Sequence, residues 1–407
     1  MKILISLGLV LFAQASLNAH PGHYEKFEYK TVLADLPLLR MLKIPVMYES
    51  KMTNVGYAVI TPEMQYRMHE ANHRIGRCGV FEVLDEDTLA QRTPQNILES
   101  LEAVQAAQNA ILPLDITVEK NENIVSAINE VSPERLQKNV EWFASFPNRY
   151  NKSPEPNKFG DQFVLRLKEL LANSKVPYEI DMIPHKSTPQ NSIRVRLPGR
   201  TRPEEIIALG GHMDSINQDS WGSNMIAPGA DDNASGSSNL IEALQIVSQG
   251  DQAERTIEFF WYAGEESGLL GSAEIAKAYK AENKKVVGVL QLDMTLFPGS
   301  GEFVLGSMTD FTSLSMREYL KQINATYIGG KIVDDKCGYG CSDHASWFRQ
   351  GFPTIMPFES TFKGANSKIH TSSDVISSTS NFKHSAMFSK IAVALAMDLG
   401  NSATVFQ

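Results

Sequence analysis

Short apolar runs alternate with longer amphipathic runs through the middle of the chain, between residues 178 and 292. Runs rich in branched and aromatic residues predict strands, and apolar positions spaced three and four apart predict helices. The predicted strands span 178–183, 191–197, 206–209, 256–262 and 286–292, and the predicted helices span 235–247 and 270–279. Strands that alternate with helices form β-α-β units. We therefore expect an α/β fold, with a mostly parallel central sheet flanked by helices.

Further predicted elements flank this region. Ser132 is a suitable N-cap and Pro133 a suitable first residue for a helix that runs to residue 146. A second helix is predicted at 159–173, a polar turn at 198–205, a strand at 353–358 and a closing helix at 384–399. These elements extend the same α/β pattern to the end of the chain.

The first residues form a different kind of segment. Lys2 is followed by an apolar run that ends at Phe12, and small residues follow at Ala13, Ala15 and Ala19. The run is too short to span a membrane and has the composition of a signal peptide, although a buried N-terminal helix is the structural alternative. We predict a signal peptide at residues 1–19. No later stretch reaches about 18 uninterrupted apolar residues, so we expect a secreted, extracellular protein without a membrane anchor.

Polar side chains mark the ends of three predicted strands and two later loops. The residues at the strand ends are His212, Asp214, Glu265, Glu266 and Asp293. The turn 228–237 carries the adjacent aspartates Asp231 and Asp232, and a loop near the end of the chain carries His370. Strand ends and loops of an open α/β sheet meet at one crevice. Imidazole and carboxylate groups gathered there would suit two divalent metal ions. A helix cap at Asp232 and a solvated pair at 265–266 are the structural alternatives.

The order of these motifs resembles a known family. Gly-Gly-His-x-Asp-Ser, Pro-Gly-Ala-Asp-Asp-Asn-Ala-Ser-Gly, Glu-Glu-x-Gly, Leu-Asp-Met and Ile-His-Thr follow one another as in the M28 di-zinc aminopeptidases, and most as in the secreted bacterial leucyl aminopeptidases. The similarity covers residues 121–407, the expected catalytic domain. Residues 20–120 hold predicted elements at 55–60, 62–75 and 96–110, but no acidic strand ends. They resemble the pro-segment that precedes this domain in the family, which implies a zymogen.

The resemblance implies a role for each site residue. Asp232 would bridge two zinc ions, His212 and Asp293 would complete one site, and Glu266 and His370 the other. Glu265 would be the general base. We expect the Asp214 carboxylate to accept the second N–H of the His212 ring, since the two residues share one side of an extended segment.

The family pattern also includes a disulfide loop and an apolar pocket. Cys337 and Cys341 match the disulfide, and export permits such a bond, which would leave Cys78 free. The resemblance implies a pocket for leucine-like side chains, with core packing as the alternative for Phe358 and Ile369. The expected lining residues are Met294, Tyr339, Phe358, Phe362 and Ile369.

Composition narrows the expected partners. The net charge is −9 and basic residues form no block, which argues against nucleic acid and anionic membranes. The resemblance implies peptide substrates with a free N-terminus, and we expect a monomer. The resulting hypothesis is a secreted metallo-aminopeptidase that uses two zinc ions.

Three other interpretations compete with this one. His69-Glu70-Ala-Asn-His73 matches the zincin pattern His-Glu-x-x-His, although no third ligand follows at zincin spacing. A carboxypeptidase or deacylase could use a similar set of ligands, and would not release leucine from leucyl-amide. A binding domain with a degenerate peptidase fold would lack ligands, whereas all five are present here.

Overall fold

The computed structural model describes residues 29–74, 81–110, 117–220, 225–404 and 406. The predicted signal peptide at 1–19 and Cys78 therefore lie outside the described residues. Within the described ranges, no helix has the length and apolar character that crossing a membrane requires.

The N-terminal segment folds around a small antiparallel sheet. Its elements, in chain order, are β1 (Lys30–Asp35), α1 (Leu36–Met41), β2 (Tyr48–Ser50), β3 (Val55–Ile60), α2 (Pro62–Arg74), β4 (Phe81–Val83), α3 (Glu86–Gln91) and α4 (Pro94–Ala110). The strand order is β2-β3-β1-β4, so β4 lies at one edge. The predicted elements at 55–60, 62–75 and 96–110 correspond to β3, α2 and α4. The segment has a core of its own, which includes Val32, Leu39, Ala58 and Ile60.

The rest of the chain forms the α/β domain. Its elements are α5 (Glu122–Asn129), α6 (Pro133–Ala144), α7 (Lys158–Leu170), β5 (Glu179–Ile183), β6 (Ser192–Leu197), β7 (Arg202–His212), α8 (Ala234–Val247), β8 (Arg255–Tyr262), α9 (Leu270–Ala281), β9 (Lys285–Gln291), β10 (Val304–Met308), α10 (Leu314–Ile323), β11 (Lys331–Asp335), α11 (His344–Arg349), β12 (Thr354–Ile355), β13 (Pro357–Phe358) and α12 (Phe382–Asn401).

The central sheet has the strand order β12-β9-β7-β8-β6-β5. The pairings from β12 through β8 are parallel, and those of β6 with β8 and β5 are antiparallel. The predicted α/β fold with a mostly parallel central sheet is confirmed. β7 begins earlier than predicted, inside the expected turn 198–205, because Arg202 pairs with Arg255 across a bulge. The Arg202 side chain also donates to Glu254 at 2.7 Å, which holds this end of the strand in place.

The predicted strand at 353–358 is two strands in different sheets. β12 joins the central sheet beside β9, whereas β13 pairs with β10 in a three-stranded sheet of order β11-β10-β13. Pro357 has no backbone N–H, so it cannot continue a regular ladder of hydrogen bonds. The chain therefore leaves the central sheet at Met356.

Helices cover both faces of the central sheet. All eight residues of β8 are buried, and alternate side chains enter two different cores. Phe259 and Trp261 pack with α6, α8 and α12, whereas Phe260 and Tyr262 pack with α9 and α11. Because side chains alternate across a strand, the apolar second half of β8 contributes to the cores on both faces of the sheet. The polar residues of the candidate site lie at or just beyond the carboxyl ends of the parallel strands.

Candidate metal centre

The predicted site residues meet at the carboxyl edge of the central sheet. His212 is the last residue of β7, a 3-10 turn at Glu265–Ser267 follows β8, and Asp293 follows β9. Asp232 comes from the turn before α8, and His370 from the loop before α12. Parallel strands end at the same edge, which is why residues so far apart in the chain come together. All six side chains named as ligands or base are at most 4% exposed.

Asp232 lies between two histidines. Its Oδ1 is 3.0 Å from Nε2 of His212, and its Oδ2 is 3.0 Å from Nε2 of His370. Each histidine has a second carboxylate neighbour: Asp293 Oδ1 lies 3.4 Å from His212 Nε2, and Glu266 Oε2 lies 3.0 Å from His370 Nε2. The five residues thus form two groups of three that share Asp232.

The facing atoms are suited to bind cations rather than one another. Among the residues that the structure describes, none provides a hydrogen bond of suitable geometry to His212 Nε2, His370 Nε2, Asp293 Oδ1 or either Asp232 carboxylate oxygen. Tetrahedral zinc ligands at about 2.0–2.2 Å from the ion lie about 3.3 Å from each other, close to these separations. His212, Asp232 and Glu266 alone place one ligand atom each within 4.8 Å of one another. The donor set and its spacing therefore fit zinc.

The electrostatics of the centre also favour cations. Burial lowers the pKa of His212 and His370, but the acidic groups around each ring together outweigh burial and raise the pKa of both histidines well above the ordinary value. Asp293 contributes most to this rise at His212, and Glu266 at His370. Burial raises the pKa of Glu266 to about 7. Burial also opposes ionisation of Asp232, but the two histidines lower the pKa of this aspartate below its ordinary value. The carboxylates thus create a negative field in a poorly hydrated space, which binds positive charge strongly.

The turn that carries Asp232 is held against the sheet by Asn233. This residue is the N-cap of α8, where its side chain accepts the N–H of Gly236 at 3.0 Å and donates to Leu292 O at 3.0 Å. The alternative reading of Asp232 as a helix cap is wrong, because the following residue has that role. A Cβ at Gly236 would lie 2.4 Å from Leu292 O, so the helix can approach the end of β9 only with glycine there.

Asp214 supports the centre in a different way from the one predicted. Nδ1 of His212 lies 3.2 Å from the Asp214 carbonyl oxygen but 3.6 Å from its carboxylate. The carboxylate instead accepts the backbone N–H groups of Glu265 at 3.1 Å and Glu266 at 3.3 Å. The residue therefore links the end of β7 to the turn after β8.

Two further aspartates use the same arrangement, and neither was predicted. Asp374 accepts the backbone N–H groups of Asp231 and Asp232, both at 3.0 Å. Asp310 accepts those of Cys337 and Gly338. In each case one carboxylate binds two consecutive N–H groups of a loop at the site. The sequence signal for Asp374 is its position four residues after His370, whereas Asp310 has no comparable signal.

Arg149 is another supporting residue that sequence reasoning missed. Its guanidinium is buried and donates to carbonyl oxygens of Met213 at 2.8 Å, Pro228 at 2.5 Å and Gly229 at 2.9 Å. Burial lowers its pKa to about 10, so it is still charged at neutral pH. The side chain joins the end of β7 to the turn that carries Asp232. A lone arginine in a polar stretch has no motif that would reveal this role.

The five residues expected to line a pocket lie in one apolar cluster beside the centre. The cluster also contains the disulfide between Cys337 and Cys341, and its expected pocket members are Met294, Tyr339, Phe358, Phe362 and Ile369. Met294 directly follows Asp293 and Ile369 directly precedes His370, so the cluster adjoins both groups of ligands. The ring of Phe362 packs against Phe358 at 5.9 Å and Tyr339 at 6.3 Å between centroids.

Comparison with known proteins identifies the family. The sequence profile of Peptidase family M28 matches residues 192–395. A probable leucine aminopeptidase of Trichophyton verrucosum (strain HKI 0517) is 38% identical over 278 residues, which cover 67% of this chain and 74% of that protein. This chain belongs to Peptidase family M28. A probable aminopeptidase of Saccharomyces cerevisiae (strain ATCC 204508 / S288c) is 35% identical over 293 residues, covering 70% of this chain and 77% of that protein.

The fold of this M28 peptidase is shared with a solved bacterial structure. The crystal structure of the Legionella pneumophila LapA aminopeptidase aligns with a TM-score of 0.79 and 24% identity, over 93% of this chain and 100% of that chain. Residues 121–407 make up a smaller fraction of this chain than the aligned 93%, so the aligned fold extends into the N-terminal segment. The predicted enzyme class, a zinc-dependent aminopeptidase of the M28 family, is confirmed.

The zincin pattern is far from the residues of the candidate metal centre in the sequence. It falls on α2, as the sequence predicts, and α2 belongs to the N-terminal segment. The side chains of residues 69 and 73 lie outside what the structure describes. The five candidate ligands of the α/β domain all lie between residues 212 and 370, far along the chain from α2.

Proposed function

We propose that this M28 peptidase removes N-terminal residues, preferentially leucine-like ones, from peptides by using two zinc ions and Glu265 as general base. One observation carries the proposal: the two oxygens of Asp232 each lie 3.0 Å from a different histidine. A carboxylate shared in this way is what two nearby dications need, because it offsets their mutual repulsion. His212 and Asp293 would hold one ion with Asp232, and Glu266 and His370 the other.

Two zinc ions bound there would supply the Lewis acidity that polarises a peptide carbonyl and makes water a better nucleophile at neutral pH. The chain itself must then move protons. Glu266 faces His370 at 3.0 Å and would be occupied as a metal ligand. Glu265 does not face His370 in this way, and is therefore suited to act as the base. Burial raises the pKa of Glu265 well above its ordinary value, which makes its carboxylate a stronger base. Glu265 would take a proton from water and deliver it to the leaving amine.

The apolar cluster beside the centre supports a preference for leucine-like residues. Its members contain no ionisable side chain apart from Tyr339, so a charged residue would lose its hydration there without a counter-charge. The sequence relative from Trichophyton verrucosum is named a probable leucine aminopeptidase, in agreement with this preference. The carboxylates of the centre would bind the free α-amine, which confines cleavage to the N-terminus. A carboxypeptidase would need a cationic group at this position instead.

Export, processing and assembly are further parts of the proposal. Residues 1–19 would be removed as a signal peptide, and residues 20–120 would be a pro-segment, with cleavage of the chain near residue 120. The secreted enzyme would act as a monomer. N-terminal sequencing of protein from the culture medium, combined with light scattering, tests all three statements.

Metal analysis combined with a substrate panel tests the central proposal. We expect about two zinc ions per chain, loss of activity with a chelator, and recovery when zinc is returned. Leucyl-p-nitroanilide should be hydrolysed faster than the lysyl and glutamyl analogues, and N-acetyl-leucyl-p-nitroanilide should not be cleaved. Full activity of metal-free protein, or release of leucine from a peptide C-terminus, would contradict the proposal.

A further inference from the structure

The edge strand β4 of the N-terminal segment lies directly against the turn that carries Glu265 and Glu266. The backbone N–H of Val83 donates to Gly268 O at 3.2 Å. Gly268 ends this turn with a φ of 113°, and a Cβ there would lie 2.7 Å from the Val83 side chain. Such a close approach, in a conformation that favours glycine, means that β4 and the turn are fitted to each other.

The residue after this turn is anchored in the N-terminal segment. Leu269 has a φ of 60° and is 1% exposed. It belongs to a core that contains Leu33, Tyr57 and Leu98 of the N-terminal segment and Phe348 of α11. A non-glycine residue in the left-handed region costs about 1 kcal/mol or more, so the surrounding packing must hold it there. Much of that packing comes from residues before position 110.

A second contact connects β4 with the disulfide loop. Glu82 forms an ion pair with Arg349 of α11, and the two side chains are only 9% and 10% exposed. A Cβ at Gly340 would lie 2.8 Å from the Arg349 guanidinium, so this arginine lies immediately beneath the loop between Cys337 and Cys341. Its guanidinium also packs 4.8 Å from the ring centre of Phe311. β4 thus contacts the turn of Glu265 and Glu266 directly, and it reaches the disulfide loop through Arg349 of α11.

We propose that the N-terminal segment is a positioning part of the active site, in which β4 holds the turn of Glu265 and Glu266 and the disulfide loop in their working places. The inference rests on the proposed function only in that Glu265 is the base. Without the segment, Leu269 and Phe348 would lose their apolar cover, and Arg349 would lose its buried counter-charge. Cleavage of the chain near residue 120 would leave all of these contacts intact, so a processed segment stays bound.

Val83→Pro tests the contact with the turn. The N–H of Leu84 donates to Thr31 O in β1, so the N–H of Val83 points away from the sheet. Proline at this edge position therefore removes the backbone hydrogen bond to Gly268 and spares those within the sheet. We expect kcat on leucyl-p-nitroanilide to fall about tenfold, the factor that corresponds to about 1.4 kcal/mol, while KM stays within about twofold. The zinc content should not change. The matched control Val83→Ala keeps the N–H and should retain most of the wild-type kcat.

Glu82→Gln tests the second contact without changing side-chain size. We expect kcat/KM to fall about tenfold with unchanged zinc content, and Glu82→Asp, which retains the charge, to recover part of the loss. Hydrogen exchange of residues 264–270 should become faster in Glu82→Gln and Val83→Pro, as loosening of the turn requires. Wild-type kcat and exchange rates in both variants would overturn the inference. Absence of aminopeptidase activity in the wild type would instead overturn the proposed function.

Cleavage of the full chain gives an independent test if a variant fails to fold. A site for a specific protease is inserted between residues 110 and 117, and the purified enzyme is cut and passed through a sizing column. We expect the two parts to elute together with at least half of the uncut kcat. Separation of the parts, with activity retained or increased in the larger one, would show that the segment is only a removable cover.

Discussion

Asp214→Asn is the most informative single change at the metal centre. The Asp214 carboxylate is completely buried, and each of its oxygens accepts one backbone N–H, from Glu265 at 3.1 Å and from Glu266 at 3.3 Å. Asparagine is nearly isosteric but has one oxygen and one amide group. One of the two N–H groups would therefore face another donor.

The size of the effect follows from this loss. A hydrogen bond to a charged group contributes about 1.5–3 kcal/mol, and a buried donor left unpaired adds a penalty. We expect the free energy of unfolding to fall by about 3 kcal/mol. The turn of Glu265 and Glu266 would also shift, and loss of a residue that orients metal ligands typically lowers metal affinity or activity by about 10- to 100-fold. We expect kcat/KM and zinc affinity to fall within that range.

Urea unfolding of zinc-free protein measures the stability, and competition with a chromophoric chelator measures the zinc affinity. Asp310→Asn is the matched control, since Asp310 binds two consecutive N–H groups of the disulfide loop in the same way. It should lose comparable stability but keep its zinc affinity. The reasoning fails if Asp214→Asn binds zinc and turns over like the wild type, or if the control loses as much zinc affinity.

Three further predictions follow from the site and its surroundings. Glu265→Gln should keep about two zinc ions but lower kcat by about 10²–10⁴-fold, because an amide cannot accept a proton from water. If metal analysis shows that an ion is lost, the roles assigned to Glu265 and Glu266 must be exchanged. Replacing Cys337 and Cys341 by serine should lower the free energy of unfolding, measured with urea, by about 2 kcal/mol and raise KM for leucyl-p-nitroanilide. An unchanged KM would show that the disulfide loop does not shape the substrate pocket. Burial raises the pKa of Glu274, but hydrogen bonds from the 185–187 turn outweigh it and lower the pKa to about 2 from 4.5. Its stabilising effect is therefore complete above pH 4.5 and lost towards pH 2. After allowance for partial exposure, Glu274→Gln should unfold about 1 kcal/mol more easily than wild type at pH 7 and equally easily near pH 2; a constant difference would refute the assignment.

The positions of the candidate site residues at the strand ends could be predicted from the sequence. His212, Glu265 and Asp293 each follow an apolar run, and local pattern is sufficient to recognise such runs as strands. β-α-β connections make those strands parallel, so their ends must share one edge of the sheet. The resemblance to the M28 family added the pairing of ligands into two groups, and the distances around Asp232 agree with that pairing.

Tertiary structure alone revealed the residues that hold these ligands. Arg149 and Asp374 bind backbone groups of distant turns, and backbone donors and acceptors are the same at every position, so no residue pattern marks their partners. The split of 353–358 between two sheets was missed for a related reason. Strands of two residues contain too little alternation to be recognised, and their pairing partners β9 and β10 are defined only in the folded chain.

The N-terminal segment shows most clearly which features the sequence determines and which depend on the tertiary structure. Its separate character is visible in the sequence, since its predicted elements lack acidic ends and the M28 motifs all come later. The contacts of β4 with Gly268 and of Glu82 with Arg349 could not be predicted, because they join two folded surfaces far apart in the chain. Such contacts depend on the shapes and charges of surfaces that exist only after each part has folded, whereas local propensity acts within a few residues.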